Sequence, residues 1–168
     1  MEYISAPWRE RYVRNLIKMK ECIFCQALKL GNDGKAFILF RGAHNFVILN
    51  KFPYTQGHLM VAPYTHLATI ELASKEVSDE MTDLLKLSLR VLKKKYSPHG
   101  FNAGMNLGHS AGAGVAGHYH LHVVPRWVGD ANFMPLIGQT RVLIEDLKTT
   151  YGRLRPLFEK EKARGKNR

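Results

Sequence analysis

The chain has 168 residues, 45% of them hydrophobic and 23% charged, which is enough for one buried core, short for two ordinary domains, and too apolar for a wholly disordered protein. Its 25 Lys and Arg against 14 Asp and Glu give a formal charge of +11, favouring anionic partners such as nucleotides, polyphosphates or nucleic acid without choosing among them. No stretch approaches the ~18 continuous apolar residues of a membrane span, and the opening "MEYISAPWRERYVRNLIKMK" carries charge where a signal peptide needs an apolar centre, so a soluble, cytoplasmic protein is expected.

In chain order, "PWRERYVRNLIKM" starts with Pro and places Trp8, Tyr12, Leu16 and Met19 at helical spacing, which predicts a short amphipathic helix over 7–19. The only two cysteines follow as C-x-x-C, Cys22 and Cys25 in "ECIFCQ". In a reducing compartment that spacing suggests a metal site or redox chemistry before a structural disulfide. "NDG" at 32–34 reads as a turn, and "AFILF" and "NFVILN" as two strands of a hairpin joined by "RGAH". "KFPYTQG" turns the chain into a third strand, "HLMVAP", ended by Pro63.

From Ser78 the period changes to 3.6. Met81, Leu84, Leu85, Ser88, Leu92 and Tyr96 share a face, with acids early and Lys93, Lys94 and Lys95 late, as the helix dipole prefers. "SPHG" stops this helix, "FNAGMNL" reads as a strand, "GHSAGAGVAG" as a glycine-rich loop and "HYHLHVVP" as another strand. The segment "TRVLIEDLKTTYGRLRPLF" predicts a last helix, bent near Gly152 and Pro156. Antiparallel-type strands with helices to one side describe an α+β domain. The expected organisation is an N-terminal extension over 1–19, a core domain over 20–128, and a C-terminal extension over 129–168 with a helix and a basic tail.

In the histidine strand, side chains alternate between faces, so His118, His120 and His122 share one face while Tyr119, Leu121 and Val123 share the other. A rise of ~3.3 Å per residue separates His118 from His122 by roughly 13 Å, too far for all three to serve one ion, although an H-x-H pair could hold one. Core packing accounts for one such histidine better than for three, because each buried imidazole needs hydrogen-bond partners. The preceding loop, with four glycines in ten residues, lets backbone N–H groups converge on an anion, though a flexible connection has the same composition. Joined to a histidine strand in a basic protein, it suggests a phosphate held against imidazoles, one of which attacks phosphorus.

"HYHLHVVP" follows the pattern His-φ-His-φ-His-φ-φ, with φ apolar, and resembles the motif of the histidine triad family of nucleotide hydrolases and transferases. "LNKFPYTQGHLMVAPYTH" is similar to the strand-turn-strand that precedes it in that family, so the resemblance covers about residues 20–128. "GMNLGHSAGAGVAGHYHLHVVPRWVGDANFMP" and the opening "SAPWRERYV…CIFC" look most like the diadenosine tetraphosphate phosphorylase branch.

The resemblance implies a histidine triad fold: an antiparallel sheet of about five strands with a long helix and a C-terminal helix. It makes His120 the nucleophile that takes the nucleotidyl group, His122 a phosphate contact, and His118 the residue that orients the strand or ligates nearby. It places Asn50 on ribose hydroxyls, His58 beside the triad, and Asn106 with Gly112, Ala113 and Gly114 at the phosphates. The loop is one residue longer than in smaller members, so those three receive no individual contacts. It offers backbone donors where many members carry a polar side chain, which leaves His109 and Ser110 as candidate proton donors. Phe24, Phe46 and Met60 read as core more readily than as a base-stacking platform, although Ile23, Phe24 or Phe46 could border an adenine.

The implied reaction is two displacements: His120 attacks the α-phosphorus of a dinucleoside polyphosphate, then inorganic phosphate or water takes the adenylyl group. The branch resemblance favours phosphorolysis to ADP and ATP, with a dinucleoside polyphosphate or nucleoside phosphoramidate hydrolase as the alternative. For the cysteines, relatives imply a structural zinc completed by His66 and His118. Zinc is preferred here to a packed thiol pair, and a thioredoxin-like motif lacks its βαβ setting. No organic cofactor is implied. The expected partners are a nucleotide or dinucleoside polyphosphate, inorganic phosphate, and further copies of the chain in a homodimer or larger assembly, without membrane or nucleic acid. A regulatory module that binds nucleotide without turnover and an H-x-H metalloenzyme are the readings from other classes.

Overall fold

A computed structural model of the chain describes residues 21–130 and 145–165. The helix expected over 7–19, the start of the segment at 140–144 and the end of the basic tail lie outside the described residues. The first element is α1 (Ile23–Lys29), which carries the second cysteine and buries Phe24 and Ala27. No periodicity announces a helix this short. "NDG", expected as a turn, is instead the start of a one-turn helix, α2 (Asp33–Ala36): the Asn32 side chain accepts the Lys35 N–H at 3.0 Å, and Phe37 leaves the helix at φ 61°. A side-chain oxygen in front of an unsatisfied N–H is what converts a turn sequence into a helical turn.

Strands β1 (Ile38–Arg41) and β2 (Asn45–Leu49) form the expected hairpin, and β3 (Leu59–Pro63) pairs with β2. The long helix α3 (Lys75–Tyr96) begins one residue after Ser74, earlier than the periodic stretch from Ser78. Strands β4 (Gly100–Met105) and β5 (Leu121–Arg126) complete a five-stranded antiparallel sheet in the order β1-β2-β3-β5-β4. The closing helix α4 (Leu147–Gly165) continues through Gly152 and Pro156 as one element. Among the described residues no helix is long and apolar enough to cross a membrane.

Alternation divides the sheet into two faces. Val47, Leu49, Leu59, Val61, Tyr119, Leu121 and Val123 point towards α3 and α4, packing on Met81, Leu84, Leu92, Leu154 and Phe158. Phe46, Ile48, Met60 and Ala62 point the other way, against Phe24 and Ala27 of α1. The first face is covered by two long helices and the second by one short one, so the chemistry is placed on the second. Glu80 of α3 locks the β1–β2 turn, accepting the N–H groups of Ala43, His44 and Asn45 at 2.6–2.7 Å and the Asn45 amide at 3.0 Å. Burial alone would raise its carboxyl, but these hydrogen bonds together hold it below the usual range.

Candidate active site and metal centre

The ladder of β5 begins at Leu121, so His118 and His120 precede the strand expected over the whole run, yet the alternation persists. Tyr119 enters the helix-side core, while Phe24 of α1 lies 5.1 Å from the His118 ring and 4.8 Å from the His120 ring. The rings of His120 and His122 are 4.7 Å apart. His118 is 0% and His120 4% exposed, and His122 is half-buried at the open side. Gly104 pairs with His122 across the sheet, and a Cβ there would meet nothing within 4 Å. The face beside His122 therefore has room for a ligand.

The hydrogen bonds assign each tautomer. His120 Nδ1 lies 2.9 Å from the His118 carbonyl, which only accepts, so Nδ1 carries the proton and Nε2 is bare. His58 Nδ1 accepts the Tyr54 N–H at 3.1 Å, leaving its proton on Nε2, which donates to His122 Nδ1 at 3.0 Å. His122 therefore presents Nε2–H. One bare nitrogen and one N–H stand side by side, the pair that attack on phosphorus and support of its oxygens require. Burial pushes His120 down, and burial followed by the neighbouring charge of His120 brings His122 down to about 4. Both rings are neutral at neutral pH.

His118 is built differently. Its Nε2–H donates to the Pro63 carbonyl at 2.9 Å, so Nδ1 is bare and faces Cys22 Sγ at 3.3 Å and Cys25 Sγ at 3.8 Å. His66 Nδ1 is 3.4 Å from Cys25 Sγ. One ligand atom from each of Cys22, Cys25, His66 and His118 lies within 4.8 Å of the others, and this cluster can hold a metal ion. Burial, then the adjacent Cys22 thiol, pushes the Cys25 thiol up, while burial brings His118 down to about 4. Two thiols and two imidazole nitrogens are a donor set suited to a cation of the zinc type.

The other expected residues fall at different distances from this pair. His58 is 1% exposed and in direct contact with His122. Asn50 is 6% exposed; its Oδ1 accepts the Phe52 N–H at 2.9 Å and its Nδ2 lies 3.5 Å from His58 Nδ1. A ribose contact would have to use the remaining amide proton or lone pair. Asn106 follows β4 directly and is half-buried. In the loop, Gly112 N–H goes to the His109 carbonyl at 2.9 Å and Ala113 N–H to Gly108 at 3.3 Å. Of the three loop residues, only Gly114 has no backbone acceptor for its N–H among the described residues. His109 and Ser110 form an exposed 3₁₀ turn. Phe24 and Phe46 are 0% exposed and Met60 4%, as core residues. Tyr54, which holds the His58 tautomer through its backbone and lies 4.8 Å from the His58 ring, had no signal in a stretch that reads only as a turn.

Comparison with known proteins bears on family and fold. The model of the HIT domain matches residues 32–128. The chain belongs to the HIT family. Over 119 residues this HIT protein is 43% identical to a Mycobacterium tuberculosis protein named AP-4-A phosphorylase, a match covering 71% of the chain and 61% of that relative's length. It is 34% identical over 114 residues to a HIT-like protein of Saccharolobus solfataricus, covering 67% of the chain and 79% of the relative. Among solved structures, a hypothetical histidine triad nucleotide-binding protein of Sulfolobus tokodaii superposes with a TM-score of 0.68 at 26% identity, over 84% of this chain and 94% of that one. A zinc-bound histidine triad family protein from Mycobacterium smegmatis has the same TM-score at 24% identity, over 85% of this chain and 96% of the other, a likeness of fold.

Proposed function

We propose that this HIT protein is a nucleotidyl transferase acting on dinucleoside polyphosphates, and that it phosphorolyses diadenosine tetraphosphate to ADP and ATP. The observation that carries the reading is the pairing of a bare His120 Nε2 with the Nε2–H of His122 on an open face. His120 Nε2 forms a bond to the α-phosphorus as the bond to the bridging oxygen breaks, releasing ATP. As the ring becomes cationic, its Nδ1–H stays on the His118 carbonyl. His122 Nε2–H donates to a non-bridging oxygen, and His58 keeps that ring in the donating tautomer. Inorganic phosphate then attacks the adenylyl-histidine from the opposite face and leaves as ADP, restoring His120. Gly114 N–H and Asn106 are the remaining phosphate donors in this reading. Phosphate as acceptor, in preference to water, is supported by the likeness to the M. tuberculosis protein.

Zinc is the proposed ion for Cys22, Cys25, His66 and His118. These four residues would fill its four positions, and it would supply structure by tying α1 to the histidine run. Among the described residues β4 pairs only with β5, and its outer edge is the proposed site of sheet continuation in a homodimer, which light scattering of the purified protein checks.

The deciding experiment incubates the protein with diadenosine tetraphosphate, with and without inorganic phosphate. ADP and ATP formed only with phosphate is the expected result. AMP and ATP formed without it makes the protein a hydrolase, and binding without turnover makes it a regulatory module.

A further inference from the structure

The segment that carries Asn50 and His58 is held on three sides at its apex. Thr55 Oγ1 donates to the Pro125 carbonyl of β5 at 2.8 Å. Gly57 adopts φ +73° and lies so close to α3 that a Cβ would stand 3.0 Å from the Tyr96 ring and 3.1 Å from Leu92. The third tie comes from outside the 32–128 segment matched by the HIT domain. Glu145, just before α4, has a side chain only 6% exposed and takes hydrogen bonds from Gln56 Nε2, Tyr96 OH at 3.4 Å, Thr150 Oγ1 at 3.2 Å and the Arg153 guanidinium. Four donors from the loop, α3 and α4 converge on one carboxylate.

The remaining space explains why this tie matters. A cavity of about 170 Å³ separates the loop from the start of α4, bordered among the described residues by Asn50, Pro53, His58, Leu147 and Thr150. The loop packs closely on α3 at Gly57 but not on the start of α4, where the Gln56–Glu145 bond joins the two. Gln56 is two residues from His58, whose Nε2–H fixes the His122 tautomer. A charged acceptor is also costly to bury without its donors, so the arrangement is maintained as a unit.

We infer that Glu145 is a positioning residue: through Gln56 it couples the C-terminal helix to the His58–His122 pair, and so to attack on phosphorus. The chemical consequence rests on the proposed nucleotidyl transfer; the positional one does not. The test uses the full chain labelled with ¹⁵N-histidine. Glu145→Ala is expected to move His58 and His122 from single tautomers towards mixtures and to slow single-turnover adenylyl-histidine formation about tenfold, since a displacement below 1 Å suffices for that. KM should stay within about twofold. Glu145→Gln, which keeps one acceptor oxygen for Gln56 Nε2 and turns its NH2 to the Tyr96 and Thr150 hydroxyls, which can accept, should restore most of the rate. Gln56→Ala should match Glu145→Ala, and the double variant should be no worse than either.

Unchanged ¹⁵N signals and rate in a folded Glu145→Ala protein of lower melting temperature would overturn the inference, as would additive losses in the double variant. If Glu145→Ala fails to fold, Gln56→Ala decides, because it keeps the Glu145–Arg153 ion pair. If the unmodified protein turns over no dinucleoside polyphosphate, the proposed function fails, while the ¹⁵N signals still decide the coupling.

Discussion

The two ends of the histidine run use the same side chain for opposite purposes. His118 and His122 sit on one face, and burial leads in bringing each down to about 4. At His118 the Pro63 carbonyl takes the Nε2 proton, so the bare Nδ1 is turned inward to the thiols. At His122 the donor His58 occupies Nδ1, so the proton sits on Nε2 at the open face. The partner of the idle nitrogen, and not imidazole basicity, decides whether each ring is a ligand or a donor. His120 depends on both ends: its proton rests on the His118 backbone and its ring lies against His122.

The widest break comes from removing the residue between the ends. His120→Ala should abolish adenylyl-histidine formation, lowering turnover on the order of 10⁴-fold or more, with metal content and nucleotide affinity little changed. Persistence of a covalent nucleotidyl protein in mass spectra of that variant would place the nucleophile elsewhere. Next comes the closed end. Cys22→Ser should cut the proposed zinc well below one per chain and lower stability by several kcal/mol, because α1 then meets the histidine run through Phe24 and an unligated Cys25. Metal analysis beside thermal melts checks it; zinc at full occupancy in the variant would remove Cys22 from the ligand set.

Sequence pattern made one half of this asymmetry legible and hid the other. Alternation placed the three histidines on one face, and the α3 period found the helix that packs behind them, because both signals are local and repeat along the chain. The resemblance to the family joined Cys22 and Cys25 to His66 and His118, and the structure brings them together although His118 lies 96 and 93 positions from the cysteines and His66 lies 41 from Cys25. Tautomers were out of reach, since they depend on the Pro63 and His118 carbonyls and the Tyr54 N–H, and every residue has a backbone. The role of Glu145 was hidden for a related reason: its donors come from the loop, α3 and α4, and no periodicity links position 145 to position 56. The helical turn at Asn32 was missed because a capping residue and a turn residue are the same residue.

The open end should respond more mildly than either of those. His58→Ala removes the donor that fixes His122 and is expected to lower kcat about 10–100-fold, with zinc content unchanged. Equal losses in zinc and kcat would mean that the two ends are not separable and that the run behaves as one packed unit.

Acidification sharpens the comparison with the smallest change to the molecule. Unfolded, each imidazole titrates near 6.5; folded, His118 and His122 stay neutral down to about 4, and burial holds His120 low as well. For a base with a depressed folded value, the unfolded chain binds more protons between those limits, so stability is full above about pH 6.5 and is lost as pH falls towards 4. Each such imidazole contributes a slope of up to about 1.4 kcal/mol per pH unit. Metal-stripped protein should therefore show the His118 and His122 shares together in denaturant melts across that window, and His122→Gln should remove one of them. A metal on Nδ1 would take His118 out of the titration while it stays bound, leaving the open end to set the slope over the upper part of the window. If His122→Gln leaves the slope of the stripped protein unaltered, then His122 is already solvated in the apo state, and its donor geometry is made by the substrate rather than by His58.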